Sequence, residues 1–372
     1  MNVLVVGAGI GGLTTAIALG RDGHRVTVLE RQAHFAPLGA GITLAPNAAR
    51  VLATLGVDVA AVGHELTAMD VVRADVRVLQ RIDPRRADPG FGPIWALTRP
   101  ALHDALHAAL PPGVEVITGR AVAALDEDRG GVAVDVLPDR RFDLVIGADG
   151  LRSLVRTAIA GARRIRYSGV TCWRGVIANP GFDRALEAWG GAARIGVVPL
   201  RDDQLYYFLV LTAPPRAPAP RWPDGFAAVF GHLRGGVERL LTALPAAPPL
   251  HHDLEELDRP VWGRDRVALL GDAAHAMTPN QGQGAAMAIE DALALALALR
   301  DGVDGAVARY AAARHRRVRR VQLDSRRLGA VAHWRNPLGR ALRDALLRLL
   351  PDAVARAHYR RLVRPGLVLA AT

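Results

Sequence analysis

The sequence predicts an α/β fold, a Rossmann-type nucleotide domain with an inserted antiparallel β-sheet and C-terminal helices. Three observations carry this. The chain opens with a strand, a glycine turn, a helix and a second strand. Two later apolar strands, Asp143–Ile146 and Arg266–Leu270, each run into glycine and aspartate. Between them, segments 165–178, 193–200 and 204–212 read as strands joined by Gly and Pro, with no helical period.

The first 31 residues set the frame. Asn2–Val6 (NVLVV) is a short buried strand, followed by Gly7, Gly9, Gly11 and Gly12 in a Gly-x-Gly-x-x-Gly turn. Gly7 permits a tight turn, Gly9 lets a pyrophosphate approach the backbone, and Gly12 lets the helix pack on the sheet. The helix N-terminus presents free amides and positive dipole to phosphate. Ile10, Leu13, Ala16 and Ile17 line one helix face, and Arg21-Asp22-Gly23 ends it. Val26–Leu29 is the second strand, closed by Glu30 and Arg31. A carboxylate at Glu30 accepts from a ribose diol and repels a 2′-phosphate, so the expected ligand is FAD or NAD. Residues 1–20 carry no charged side chain, but three turn glycines and no basic leader argue against an anchor or signal peptide.

The 372 residues suit two interlocked domains or one large one. Cys172 is the single cysteine, which excludes an internal disulfide and fits a reducing, cytoplasmic setting. Formal net charge is +11, yet all 47 cations are arginine and are dispersed, apart from Arg314–Arg320. This reads as coding bias, not as a nucleic-acid surface, so no nucleic-acid partner is expected.

Further elements follow in order. The loop from Arg31 to Pro46 contains Pro37-Leu38-Gly39-Ala40-Gly41-Ile42-Thr43, suited to close approach of a flat ligand or to an ordinary surface turn. A helix covers Ala48–Leu55, a hairpin Met69–Val72 and Val76–Ile82, a helix Pro100–Leu110, and strands Glu115–Thr118 and Val132–Val136. Residues 214–223 are a proline-rich connector, and a helix is expected over Gly225–Leu244. Residues 284–299 form an apolar helix that Glu290, Asp291 and its length mark as interior, not spanning. The last 70 residues read as helices rich in Arg and Leu.

Two constellations carry chemistry. One is Gly147-Ala148-Asp149-Gly150-Leu151-Arg152-Ser153-x-x-Arg156; the other is Gly271-Asp272-Ala273-Ala274-His275 with Pro279-Asn280-Gln281-Gly282-Gln283-Gly284. Each sets an acid and glycines at the carboxyl edge of the sheet, where ligands bind in such folds. Asp272 suits a polyol chain, and the amides at Gly282–Gly284 suit an anionic ring atom or carbonyl oxygen. His275 reads as a structural hydrogen-bonding residue. Arg152 and Arg156 stay open between surface cations and site residues. No zinc or iron ligand spacing and no hydrolase motif is present.

With these three motifs in order, the chain resembles the class A FAD-dependent monooxygenases, the flavoprotein aromatic hydroxylases of salicylate and urate hydroxylase type. The resemblance spans nearly the whole chain. It implies a glutathione-reductase-type FAD domain over 1–160 and 262–325, a substrate domain over 66–98 and 161–261, and C-terminal helices over 326–372. It places the FAD pyrophosphate on the first motif, the adenosine ribose on Glu30, the adenine beside Val122, and the phosphates or ribityl chain near Arg99. Asp149 belongs to a motif serving FAD and nicotinamide, and Asp272 to the ribityl or pyrophosphate. Pro279, Gly282, Gln283 and Gly284 flank the isoalloxazine, with the Gly39–Thr43 loop against it.

The implied reaction is oxygenation: NADH or NADPH, bound transiently, reduces the flavin, O2 adds to give a hydroperoxide, and one oxygen passes to an aromatic or heteroaromatic small molecule. Alternatives are a halogenase or reductase of the same fold, or a non-oxygenating NAD-binding dehydrogenase. The halogenase signature is not matched at Trp173-Arg174-Gly175. Arg194 and Tyr206, on successive strands around Asp202-Asp203, are the candidate catalytic residues: an arginine for an anionic substrate and a tyrosine to orient it. No membrane partner is expected, and a monomer or homodimer is.

Overall fold

The structure is a computed structural model describing residues 1–34, 40–128, 130–234 and 236–372. Gly39 and the Pro37-Leu38 pair of the expected flavin loop lie outside the described residues.

Apolar runs become the centre of a six-stranded sheet, ordered Gly263–Arg264, Val267–Leu269, Leu144–Gly147, Asn2–Val6, Arg25–Leu29, Glu115–Ile117. All neighbours are parallel except the first pair. Val3, Leu4, Val5, Val145 and Ile146 are fully buried, as expected for strands covered on both faces. Helices Ile10–Arg21 and Gly284–Leu299 pack together over this sheet. Gly11 makes that approach possible, since a Cβ there meets Leu270 at 2.8 Å and Ala288 at 3.2 Å.

The inserted sheet has seven strands, ordered Leu250–Leu257, Ile165–Ala178, Gln204–Thr212, Ala193–Pro199, Ala185–Trp189, Met69–Arg73, Val78–Ile82. The 69–82 hairpin joins it through one parallel pair, Ala185–Trp189 with Met69–Arg73; the other pairs are antiparallel. Strands Gly41–Leu44, Ile94–Thr98 and His64–Leu66 form a smaller sheet beside it.

Two expectations need correction. The single helix over 225–244 is two short helices, Asp224–Phe230 and Val237–Thr242. Gly231 ends the first, and Gly236, at φ 85°, starts the second, so the backbone turns where a continuous helix needs α geometry. Strands Ala185–Trp189 and Leu250–Leu257 were not expected at all. Their sequences, ALEAW and LHHDLEEL, carry helix formers and charges, and pairing within the sheet overrides that preference.

The C-terminal helices are Ala306–Ala332, Pro337–Leu349 and Asp352–Leu369. The first brings Arg314 against Glu290 (2.6 Å) and Asp291 (2.7 Å), and Arg317 donates to Glu290 (2.6 Å). Two carboxylates and two guanidiniums thus neutralise each other inside the molecule. Burial alone raises a carboxyl pKa, but His275 and Arg314 outweigh it at Asp291, which is lowered to about 2.

Candidate active site

The glycine turn has the expected division of labour. Gly7 sits at φ 108°, and a Cβ there lies 2.5 Å from the Ala148 carbonyl oxygen. A Cβ on Gly12 falls 1.9 Å from the Gly7 oxygen. At Gly9, the residue preceding the helix, nothing lies within 4 Å. Within this turn, Gly9 is the glycine that faces open space, where the pyrophosphate is expected. The Glu30 carboxylate is held by the amides of Ala8 (2.9 Å) and Gln32 (3.0 Å), which tie it to the turn. Arg120 N donates to the Glu30 carbonyl (3.0 Å), and Val122, two residues on, is buried in a cluster that includes Leu29. Arg31 is exposed just beyond.

At the other end of the cleft, Asp272 and Arg99 are both exposed to solvent. Arg99 starts a helix after Thr98, whose hydroxyl accepts from Ala101 N (3.2 Å), and its own amide donates to Ala40 O (2.9 Å). Protein atoms crowd its guanidinium from the other sides. That desolvation, followed by the charge of Arg174, lowers its pKa, with Asp272 and Tyr206 opposing. A Cβ on Gly282, at φ 62°, would lie 3.4 Å from Thr43 Oγ1, and Gly284 opens the long helix with nothing within 4 Å of its Cβ position. Gln283 is buried and accepts from Asn47 Nδ2 (3.0 Å); exposed Pro279 begins the short turn before it.

Asp149 does different work. Its carboxylate accepts from Ser153 Oγ (2.5 Å) and the amides of Leu154 (2.7 Å) and Val155 (3.1 Å), capping helix Leu154–Ala160. The two undecided arginines separate. Arg156 is buried and donates to Ala273 O (2.8 Å) and Leu151 O (2.6 Å), tying the second motif to the third. Arg152 is exposed and pairs with Glu255 (2.7 Å). His275 is buried with Nε2 2.5 Å from Asp291 Oδ2, a structural contact.

The seven-stranded sheet turns one face toward this cleft. Arg194 pairs with Val210 and Val198 with Tyr206, so Arg194 and Tyr206 share a face. They do not play like parts. Arg194 is 3% exposed and donates to Glu187 Oε1 and Asn280 Oδ1, both at 2.9 Å, bracing the 279–284 turn. Tyr206 lays its ring over Gly41, where a Cβ would meet Cγ at 2.3 Å, in line with the strand that carries Thr43. Burial pushes its phenol to about 12, with Cys172 adding to the rise, so it stays protonated.

Two residues were missed. Arg174 pairs with Phe208 and Leu250, and His252 with Cys172, which puts both on the Tyr206 face. Arg174 interacts with Tyr206 by hydrogen bond and charge, and its Nε is buried without a partner. Burial, then the charge of Arg174, lowers the pKa of His252, favouring a neutral imidazole. Alternation along 172, 174 and 176 was visible in sequence, but the register that aligns it with Tyr206 was not.

The residues fit FAD: a glycine turn open at Gly9, a carboxylate held beside that turn, exposed Asp272 and Arg99, and a helix N-terminus at Gly284 with room for a flat ligand. Comparisons agree. The family described as FAD binding domain matches residues 1–324. The aurachin C monooxygenase/isomerase of Stigmatella aurantiaca is 35% identical, with 97% of each chain covered. The 2-heptyl-3-hydroxy-4(1H)-quinolone synthase of Pseudomonas aeruginosa is 35% identical, again with 97% of each covered. Klebsiella pneumoniae HpxO, crystallised with FAD and uric acid, superposes with a TM-score of 0.89 at 26% identity, covering 99% of this chain and 98% of that one. The chain belongs to the class A flavoprotein hydroxylases and is an FAD-dependent monooxygenase.

Proposed function

We propose that the protein is an NAD(P)H-dependent hydroxylase of a nitrogen heteroaromatic ring bearing an oxo or hydroxyl group. The observation that carries this is the polar cluster on the sheet face opposite the flavin-flanking turn: Tyr206 and Arg174, with His252 on the same face. A quinolone and uric acid, named for relatives, are rings of this kind.

When bound, FAD accepts a hydride from NAD(P)H and activates O2 for transfer to the ring. The chain's residues do the rest. Arg174 is within hydrogen-bonding reach of the Tyr206 hydroxyl oxygen, which leaves the phenol's proton to be donated to a substrate oxygen. Arg174 and Arg99 stabilise negative charge on that oxygen, which makes the ring more nucleophilic toward electrophilic oxygen. Neutral His252 is available to accept a ring N–H or O–H. Tyr206 and Phe208, 5.8 Å apart, give the substrate an aromatic wall and exclude water. The Gly284 helix N-terminus favours anionic character on a bound ring.

The test is turnover. FAD-loaded protein is given NADH or NADPH and a panel of 4-quinolones and urate, and products are read by mass. Substrate-stimulated NAD(P)H oxidation with gain of one oxygen supports the reading. Stimulation without an oxygenated product from any nitrogen heteroaromatic, or none at all, overturns it.

A further inference from the structure

Helix Pro337–Leu349 is inside out. Leu338, Leu342, Leu346 and Leu349 fall on one face by their spacing and are 81, 57, 59 and 78% exposed. Ala341 and Ala345 between them are exposed as well. The buried face holds an ion pair instead. Arg343, 2% exposed, donates to Asp344 (2.8 Å) and Ala332 O (3.0 Å), with its guanidinium 5.3 Å over the Trp189 ring. The helix is not a frayed end. Pro337 starts it, and the Asn336 side chain caps the amides of Leu338 (2.9 Å) and Gly339 (3.2 Å). The stripe is extended by exposed Trp334, Leu350 and Val354. A folded, anchored helix that buries its charges and shows its leucines presents an apolar patch that water does not favour.

We propose that this helix seats the protein in the headgroup layer of an anionic lipid membrane, lying in the plane of the surface. Charge selects that occupant. Residues 333–372 hold eight arginines against two aspartates, and Asp344 is already spent on Arg343. Arg335 and Arg348 are exposed at either end of the stripe. A second copy docking the same face would bring these cations against their own kind, which disfavours association. An anionic surface accepts leucines and arginines together, and Trp334 suits the interface. The helix is 13 residues long, and no described helix is long and apolar enough to cross a membrane, so the contact is peripheral. The sequence expectation of no membrane partner rested on spans; this stripe is a different kind of contact. The inference stands apart from the oxygenation chemistry.

Flotation tests it, using the full-length FAD-loaded protein with vesicles of phosphatidylcholine alone or mixed with phosphatidylglycerol. Wild type floats with the anionic vesicles and at least about tenfold less with neutral ones or in high salt. Leu342→Glu/Leu346→Glu abolishes flotation while keeping flavin content and circular dichroism, because both side chains are exposed. Arg335→Ser/Arg348→Ser, which leaves the stripe whole, removes the preference for anionic lipid. No flotation of wild type, or equal flotation of the leucine variant, overturns the proposal. So does a dimer seen by light scattering that the leucine variant dissociates while vesicles fail to bind.

Discussion

The glycines of the first motif make separable predictions. Gly9→Ala adds a methyl group where no protein atom stands, in a backbone conformation (φ −74°, ψ −176°) that alanine adopts. The apoprotein keeps its stability within about 0.5 kcal/mol, while FAD affinity falls at least about tenfold, read by flavin titration. Gly12→Ala sets a Cβ 1.9 Å from a carbonyl oxygen and destabilises the apoprotein toward the upper end of the about 1–3 kcal/mol that overpacking costs. The two arginines on the sheet face separate in the same way. Arg194→Met leaves Glu187 and Asn280 short of a donor and lowers the melting temperature. Arg174→Met breaks no ion pair in the described structure, so stability holds while substrate KM rises and NAD(P)H is consumed as peroxide. Equal melting losses in both variants would show Arg174 to be structural. The glycines and Glu30 were legible because each residue type answers a local geometric demand. Arg174 was not, because strand register decides its face.

At the scale of elements, the end of helix Ala306–Ala332 carries a pH dependence. His333, which caps it, has Nδ1 3.0 Å from Thr212 Oγ1. Burial, then the charges of Arg194 and Arg343, lowers its pKa to about 3. The folded protein therefore holds it neutral while the unfolded chain takes up a proton below the ordinary histidine value of 6.5. Its stabilising contribution is full above pH 6.5 and is lost as pH falls from 6.5 toward 3. His333→Asn flattens that part of the stability curve, measured by urea unfolding at pH 7.0 and 5.0; an unchanged slope refutes the assignment. Element boundaries were legible where apolar strands met glycine, as at 144–147 and 267–269. They failed at 224–242 and 250–257, where neighbouring strands and a left-handed glycine outvoted local preference.

One buried polar network joins helices that lie far apart in sequence. Asn47 donates to Gln283 and to Glu290; Glu290 and Asp291 are clasped by Arg314 and Arg317; Gly366 of the last helix packs against both Asn47 and Glu290. A Cβ on Gly366 would stand 2.3 Å from Glu290 Oε1. The network thus ties helices Ala306–Ala332 and Asp352–Leu369 to helix Gly284–Leu299, whose N-terminus is proposed to flank the flavin. Removing one charge leaves the opposite charges buried and under-compensated, so Arg314→Met costs about 3–5 kcal/mol, measured by denaturant unfolding. Simple loss of packing predicts the same cost whatever stands at 290 and 291. The electrostatic reading predicts otherwise: with Glu290→Gln and Asp291→Asn already in place, Arg314→Met costs far less than in the wild type. A full cost in that background would show that Arg314 acts by its volume and not by its charge.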